Sequence, residues 1–367
     1  MKKINIATLM LASALVLSAC STNEDTAEET ETEVTEQSEQ TEASDSEETT
    51  EEESEEGEEV SENAEGNVIL HRAYPREEAP SSFTRVVVAT SGDKIVGVSL
   101  NEYQYADSEN GYEPVINSDK AFGEGTAEGK MLISKLDNEE FYSSQMKEAG
   151  SPTTLADTYK GIADFATGKT IEELETYLDE TSDEEIIDAI STATFHSTPI
   201  LLRQVLEAAK DDSFTSVGFA EDPEALTFKS ATAAPHGDKS FADLVVVMEG
   251  DKIVAASFDE FQYMNGTSVA NEGGKFVENY ADSEKVLGSK LENNESYSQN
   301  MADKAEATTS IKDNFEAIQN FVAGKTVAEI EEALASAGEE GIVDSVTGAT
   351  LVDTAGYLQA IVDTAKM

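Results

Sequence analysis

VVVATSGDKIVGVSLNEYQY, residues 86–105, returns as VVVMEGDKIVAASFDEFQY at residues 245–263. Each copy sets a β-branched run on either side of a turn signal: Ser91-Gly92-Asp93 in the first, Glu249-Gly250-Asp251 in the second. That pattern predicts a β-hairpin, twice. Further on, IADFATGKTIEELETYL (162–178) pairs with IQNFVAGKTVAEIEEAL (318–334), so the repeat extends well past the hairpin. One copy is about 150 residues, much longer than a solenoid unit, which predicts two duplicated domains rather than a stacked array. They are placed at 67–210 and 219–367, with a short linker around Asp211 to Glu221.

The second half of each copy reads as helical. Thr170-Ile-Glu-Glu173 and Thr326-Val-Ala-Glu329 are capping boxes, in which hydroxyl and carboxylate satisfy each other's backbone N–H groups. Apolar residues follow at helical spacing: Ile171, Leu174 and Leu178, then Val327, Ile330 and Leu334. A last amphipathic helix carries Leu202, Val205 and Leu206 in one copy and Leu358, Ile361 and Val362 in the other. Strands first and helices after them predict an α+β fold: two tandem domains, each an antiparallel sheet with helices.

Outside the repeat the chain changes character. Lys2 and Lys3 precede a short apolar run, Ile4 to Leu17, and then Leu17-Ser18-Ala19-Cys20. The run is too short to span a bilayer, and it predicts a lipoprotein signal peptide over 1–20 with Cys20 acylated. Cys20 is the one cysteine of the chain, so no intrachain disulfide forms and no cysteine is left for an iron–sulfur cluster or haem. Residues 21–66 hold 21 of the 76 acidic residues and no Lys or Arg. With so little apolar surface to bury, they read as a disordered acidic linker spanning about 35–40 Å. The net charge is −52 over the whole chain, and −33 remains on 67–367 once the linker and signal lysines are set aside. Such a chain is no partner for nucleic acid.

Ahead of each final helix stands a repeated heptapeptide, Asp344-Ser-Val-Thr-Gly-Ala-Thr350 and Asp188-Ala-Ile-Ser-Thr-Ala-Thr194. Small residues at Gly348 and Ala349 let a bulky group approach the backbone, Thr347 and Thr350 offer hydroxyls, and a helix N-terminus favours an anion. The same residue types also suit any loop with an N-cap. Retention of D-x-x-[ST]-x-A-T in both copies tips the balance towards a site.

The heptapeptide resembles the flavinylation motif of FMN-binding domains, whose terminal hydroxyl is joined to FMN by a phosphoester. A magnesium-dependent FAD:protein FMN transferase makes that bond in the family. The resemblance implies two covalent FMN groups, with Thr350 and Thr194 as acceptors. Asp344, Thr347, Gly348 and Ala349 complete one motif, and Asp188, Ser191 and Ala193 the other. Thr192 departs from the pattern where the second copy has Gly348. It also implies that Tyr103, Tyr105, Phe261 and Tyr263 either flank an isoalloxazine ring or, as alternating strand residues, simply pack. His71, His196 and His236 are scattered and unrepeated, so no metal site is expected.

With the lipobox and acidic tether, the layout is similar to flavinylated lipoproteins of Gram-positive extracellular electron transfer, the pheromone-encoding lipoprotein A type. That family implies a lipid-anchored electron carrier on the outer face of the cell membrane. It takes electrons from a membrane NADH dehydrogenase and quinone pool and passes them to ferric iron or free flavin. The alternatives are a subunit of an extracellular flavin-dependent reductase and a binding or pheromone-precursor lipoprotein without flavin. No repeated Ser/His/Asp set or G-x-S-x-G favours an enzyme.

Overall fold

The computed structural model describes residues 67–78, 80–190 and 196–367. Cys20 and the acidic run 21–66 lie outside the described residues, as do Ser191, Thr192, Ala193 and Thr194. The described residues belong to one compact unit. The first half runs β1 (Asn67–Ala73), β2 (Ser82–Ser91), β3 (Lys94–Asp107), β4 (Lys130–Ser134), α1 (Glu139–Glu148), α2 (Leu155–Ala166), α3 (Ile171–Glu180), α4 (Asp183–Ala189) and α5 (Thr198–Ala209). Then come β5 (Thr215–Phe219), β6 (Thr227–Ala233), β7 (Ser240–Glu249), β8 (Lys252–Met264), β9 (Val286–Ser289), α6 (Asn294–Ala305), α7 (Ile311–Val322), α8 (Val327–Ser345) and α9 (Thr354–Ala365). The architecture is α+β with two antiparallel sheets, ordered β4-β3-β2-β1-β5 and β6-β7-β8-β9.

Both expected hairpins are present, β2–β3 and β7–β8. Each closes with a two-residue loop whose first residue has positive φ, Gly92 at 60° and Gly250 at 63°, which a residue without Cβ adopts at least cost. Both carry a bulge at the same point, between Ala89 and Thr90 and between Val247 and Met248. Aligned on the turn, Val87 corresponds to Val245, one residue away from the match of like letters; each stands opposite a serine, Ser99 or Ser257. The repeated Gly-Lys-Thr stretch is structural. It zips onto the hairpin through Ile95 N to Lys169 O (2.9 Å) and Ile253 N to Lys325 O (2.8 Å), and its Thr170 and Thr326 are the observed capping boxes.

Period-2 alternation sends each strand's side chains to two different cores. Val86, Val88 and Leu100 face α2, α3 and α5, while Val246, Phe258 and Ala256 face α7, α8 and α9. The opposite faces meet each other: Val87, Ala89 and Val96 pack with Val245, Val247 and Val254. Beside them Tyr103, Phe83, Phe241 and Phe261 form an aromatic cluster. The layers are helices, sheet, sheet, helices. Burying each such Val or Phe contributes roughly 1.5–3 kcal/mol. The stretch read as a linker contains β5, which adds an edge strand to the first sheet.

Candidate functional site

In the second half the heptapeptide bridges α8 and α9. Asp344 lies exposed on the last turn of α8, Val346 is buried, and Thr347–Gly348 turn the chain. Gly348 has φ 93°, a conformation that a β-branched residue resists. Ala349 tucks into the core, and Thr350 emerges exposed, ahead of the N-cap Asp353 rather than within the first turn of α9.

Thr350 is held by a residue far away in the chain. Asn314 of α7 is fully buried, and its Oδ1 accepts from Thr350 N (2.6 Å), Leu351 N (3.2 Å) and the Thr350 hydroxyl (3.3 Å). Its Nδ2 donates to Ser310 O at 2.8 Å. One amide therefore fixes both the loop backbone and the hydroxyl direction.

A cavity of about 400 Å³ opens beside Thr350. Tyr297, Met301, Ile311 and Tyr357 form its walls, and His236 and Asp353, joined at 2.6 Å, also line it. Lys290 lines it too, buried and paired with the equally buried Glu260. Glu260 also accepts from the Tyr357 hydroxyl at 2.8 Å, and the Lys290 ammonium lies 4.7 Å from the centre of the Tyr297 ring. Burial alone would lower the Lys290 pKa, but Glu260 reverses that and raises it. Burial, together with Glu260, pushes the Tyr357 phenol well above its ordinary value. At neutral pH the lysine is charged and the phenol neutral.

The first half has a cavity of about 270 Å³ at the corresponding place, lined by Lys135, Glu102, Tyr142, Leu155 and Tyr159, with Ser197 at its edge. Lys135 pairs with Glu102 at 2.8 Å, and Tyr159 donates to Glu102 at 2.7 Å. Burial opposes ionisation of Glu102, and Lys135 then holds it below the usual carboxylate range. Asp188 is exposed on α4. Thr158 occupies the position of Asn314 and donates to Thr154 O within its own helix.

Other expected residues go elsewhere. Tyr103 and Phe261 are buried in the aromatic cluster between the sheets, and Tyr105 and Tyr263 share a hydroxyl–hydroxyl bond of 2.6 Å. They pack and do not line the Thr350 cavity. His71 bonds Thr90 (3.0 Å) and the Asp211 carbonyl (3.2 Å), a structural role. The lysines and acids that floor the cavities were missed from sequence. A repeat signal for them existed, Ser134-Lys-Leu-Asp-Asn138 against Ser289-Lys-Leu-Glu-Asn293.

Among the described residues no cluster of His, Cys, Asp or Glu fits a metal ion, and no helix is long and apolar enough to cross a membrane. No protein-family model matches the chain, and comparison with curated proteins and with solved structures likewise gives no match.

Proposed function

We propose that the chain is a flavin-carrying electron-transfer lipoprotein, with FMN joined by a phosphoester to Thr350 in one duplicated domain and Thr194 in the other. One observation carries this reading: an exposed, pre-aimed threonine hydroxyl beside a cavity with aromatic walls and a charged lysine. Its volume of about 400 Å³ falls in the roughly 300–1,000 Å³ range of cofactor pockets. The residues fit the group. Tyr297, Tyr357, Met301 and Ile311 suit a flat, largely apolar ring, Lys290 suits its electron-rich carbonyl edge, and Thr350 suits the phosphate. FMN, when bound, supplies one- and two-electron redox chemistry; the protein holds and tunes it.

Asn314 orients the Thr350 hydroxyl and holds the backbone of Thr350 and Leu351 in place. The buried Lys290–Glu260 pair sets a fixed positive charge at the cavity wall without adding net charge beneath it. His236, joined to Asp353, offers a ring nitrogen partner at the cavity edge. The transferase would supply FMN from FAD. Cys20 would anchor the chain by lipid to the outer face of the membrane, with a quinone pool and NADH dehydrogenase as donors and ferric iron or free flavin as acceptors.

Intact mass of protein co-produced with the flavin transferase tests the reading. Two FMN adducts are expected, one lost in Thr350→Ala, the other in Thr194→Ala, and both in the double variant. Flavin that stays attached through denaturation of the double variant rules out these acceptors.

A further inference from the structure

Behind α6 lies a second cleft, about 490 Å³, whose lining includes Tyr263, Met264, Lys285, Tyr297, Met301 and Lys304. Tyr297 and Met301 line the Thr350 cavity as well, so α6 is a wall common to both. Lys285 and Lys304 are exposed, and neither forms an ion pair among the described residues. In a folded region of net charge −33, this cleft is lined by two lysines that have no carboxylate partner among the described residues.

The first half shows what cancels such a cation. Strand register makes Lys130 the counterpart of Lys285 and Asp107 the counterpart of Asn265. Lys130 pairs with Asp107 at 2.5 Å. Ala149 stands where α6 has Lys304, counting from the matched Tyr142 and Tyr297. One half neutralises its lysine; the other has an amide in the acid's place and adds a second lysine.

Cations flanking tyrosine and methionine faces select a ligand that is flat and negatively charged. Its rings lie against Tyr263, Met264 and Met301, and its anionic groups meet Lys285 and Lys304. We propose that this cleft binds a small aromatic anion bearing sulfonate, carboxylate or phosphate, and that the first half has no equivalent site. The proposal goes beyond the flavin reading and does not require it. Where both hold, the bound anion lies one helix away from the Thr350 cavity, a position suited to a soluble redox partner.

Isothermal titration of the full chain bearing Cys20→Ala, produced without flavin transferase, tests this with naphthalene-2,6-disulfonate as probe. One site is expected, with affinity falling as salt screens the lysines. Affinity should drop about tenfold in the Lys285→Gln/Lys304→Gln variant and about threefold in Asn265→Asp, which places the first half's acid beside Lys285. The neutral naphthalene-2,6-dimethanol should bind more weakly than the disulfonate. Absence of disulfonate binding, equal affinity for the diol, or unchanged affinity in both variants overturns the proposal. Because no FMN is present, none of these outcomes bears on Thr350.

Discussion

The two halves hold the same buried carboxylate with phenols from different helices. In the first, Tyr159 of α2 donates to Glu102, and Leu201 of α5 stands opposite. In the second, Phe315 takes the place of Tyr159, and Tyr357 of α9 takes the place of Leu201 and donates to Glu260. The hydroxyl reaches the matching carboxylate from a different helix, on the oxygen the lysine leaves free in the first half and on the lysine's own oxygen in the second. A carboxylate removed from water needs its lone pairs satisfied, and the helix that supplies the donor is immaterial so long as the geometry is met. The divergence therefore identifies the lysine–glutamate pair as the feature around which each half is arranged. It also exposes real asymmetries: Asn314 against Thr158, and Asp259 against Asn101.

The largest effect is expected where that common pair is broken. Lys290→Met leaves Glu260 fully buried with only phenol and hydroxyl donors, and breaking a buried pair costs about 3–5 kcal/mol. Lys135→Met should cost less, because Lys135 and Glu102 retain 10% and 12% side-chain exposure against 1% and 0% for Lys290 and Glu260. Urea unfolding of the two variants measures the difference. Equal costs would mean that solvent access does not separate the halves.

Next in size is a pH dependence confined to one half. Burial pushes the Asp259 carboxyl up to about 6 from an ordinary 3.8, although Ser289, Arg72 and Tyr74 all hydrogen-bond or attract its charged form. The folded state therefore keeps a proton between those values that the unfolded chain releases. This group's contribution is most favourable below about pH 4, declines as pH rises to about 6, and is then constant. The total is about 3 kcal/mol. Asp259→Asn installs the residue that the first half has at position 101. The difference in stability between variant and wild type should change between pH 4.5 and 7 by about 2 kcal/mol, the remainder falling below pH 4.5. A pH-independent difference would show that Asp259 is ionised throughout.

The smallest effect concerns loading of the acceptor. Under the flavin reading, Asn314→Thr should slow FMN attachment at Thr350 about fivefold, the equivalent of about one hydrogen bond. Thr158→Asn should speed attachment at Thr194. Intact mass at fixed times with the transferase gives both rates. No change in either would leave Asn314 a packing residue.

Much of this was legible in the residues themselves. The hairpins, their glycine turns, the capping boxes and the position of Thr350 before the last helix follow from local rules acting over a few residues. The cavity did not. Lys290 lies 60 residues from Thr350 and Asn314 lies 36 away, and nothing local says that α7 and the segment after β9 meet the same loop. The Ser-Lys-Leu repeat was visible but has no periodicity that marks a buried charge.

What the chain determines locally is which segments become strands and helices, because backbone hydrogen bonding, capping and side-chain period are near-neighbour effects. Only the tertiary structure decided that the two sheets pack face to face, that Arg72 of one half pairs with Asp243 of the other at 3.0 Å, and that a phenol could move between helices without losing its carboxylate. Those outcomes depend on desolvation, which is settled by whichever distant groups fill the space around a buried charge.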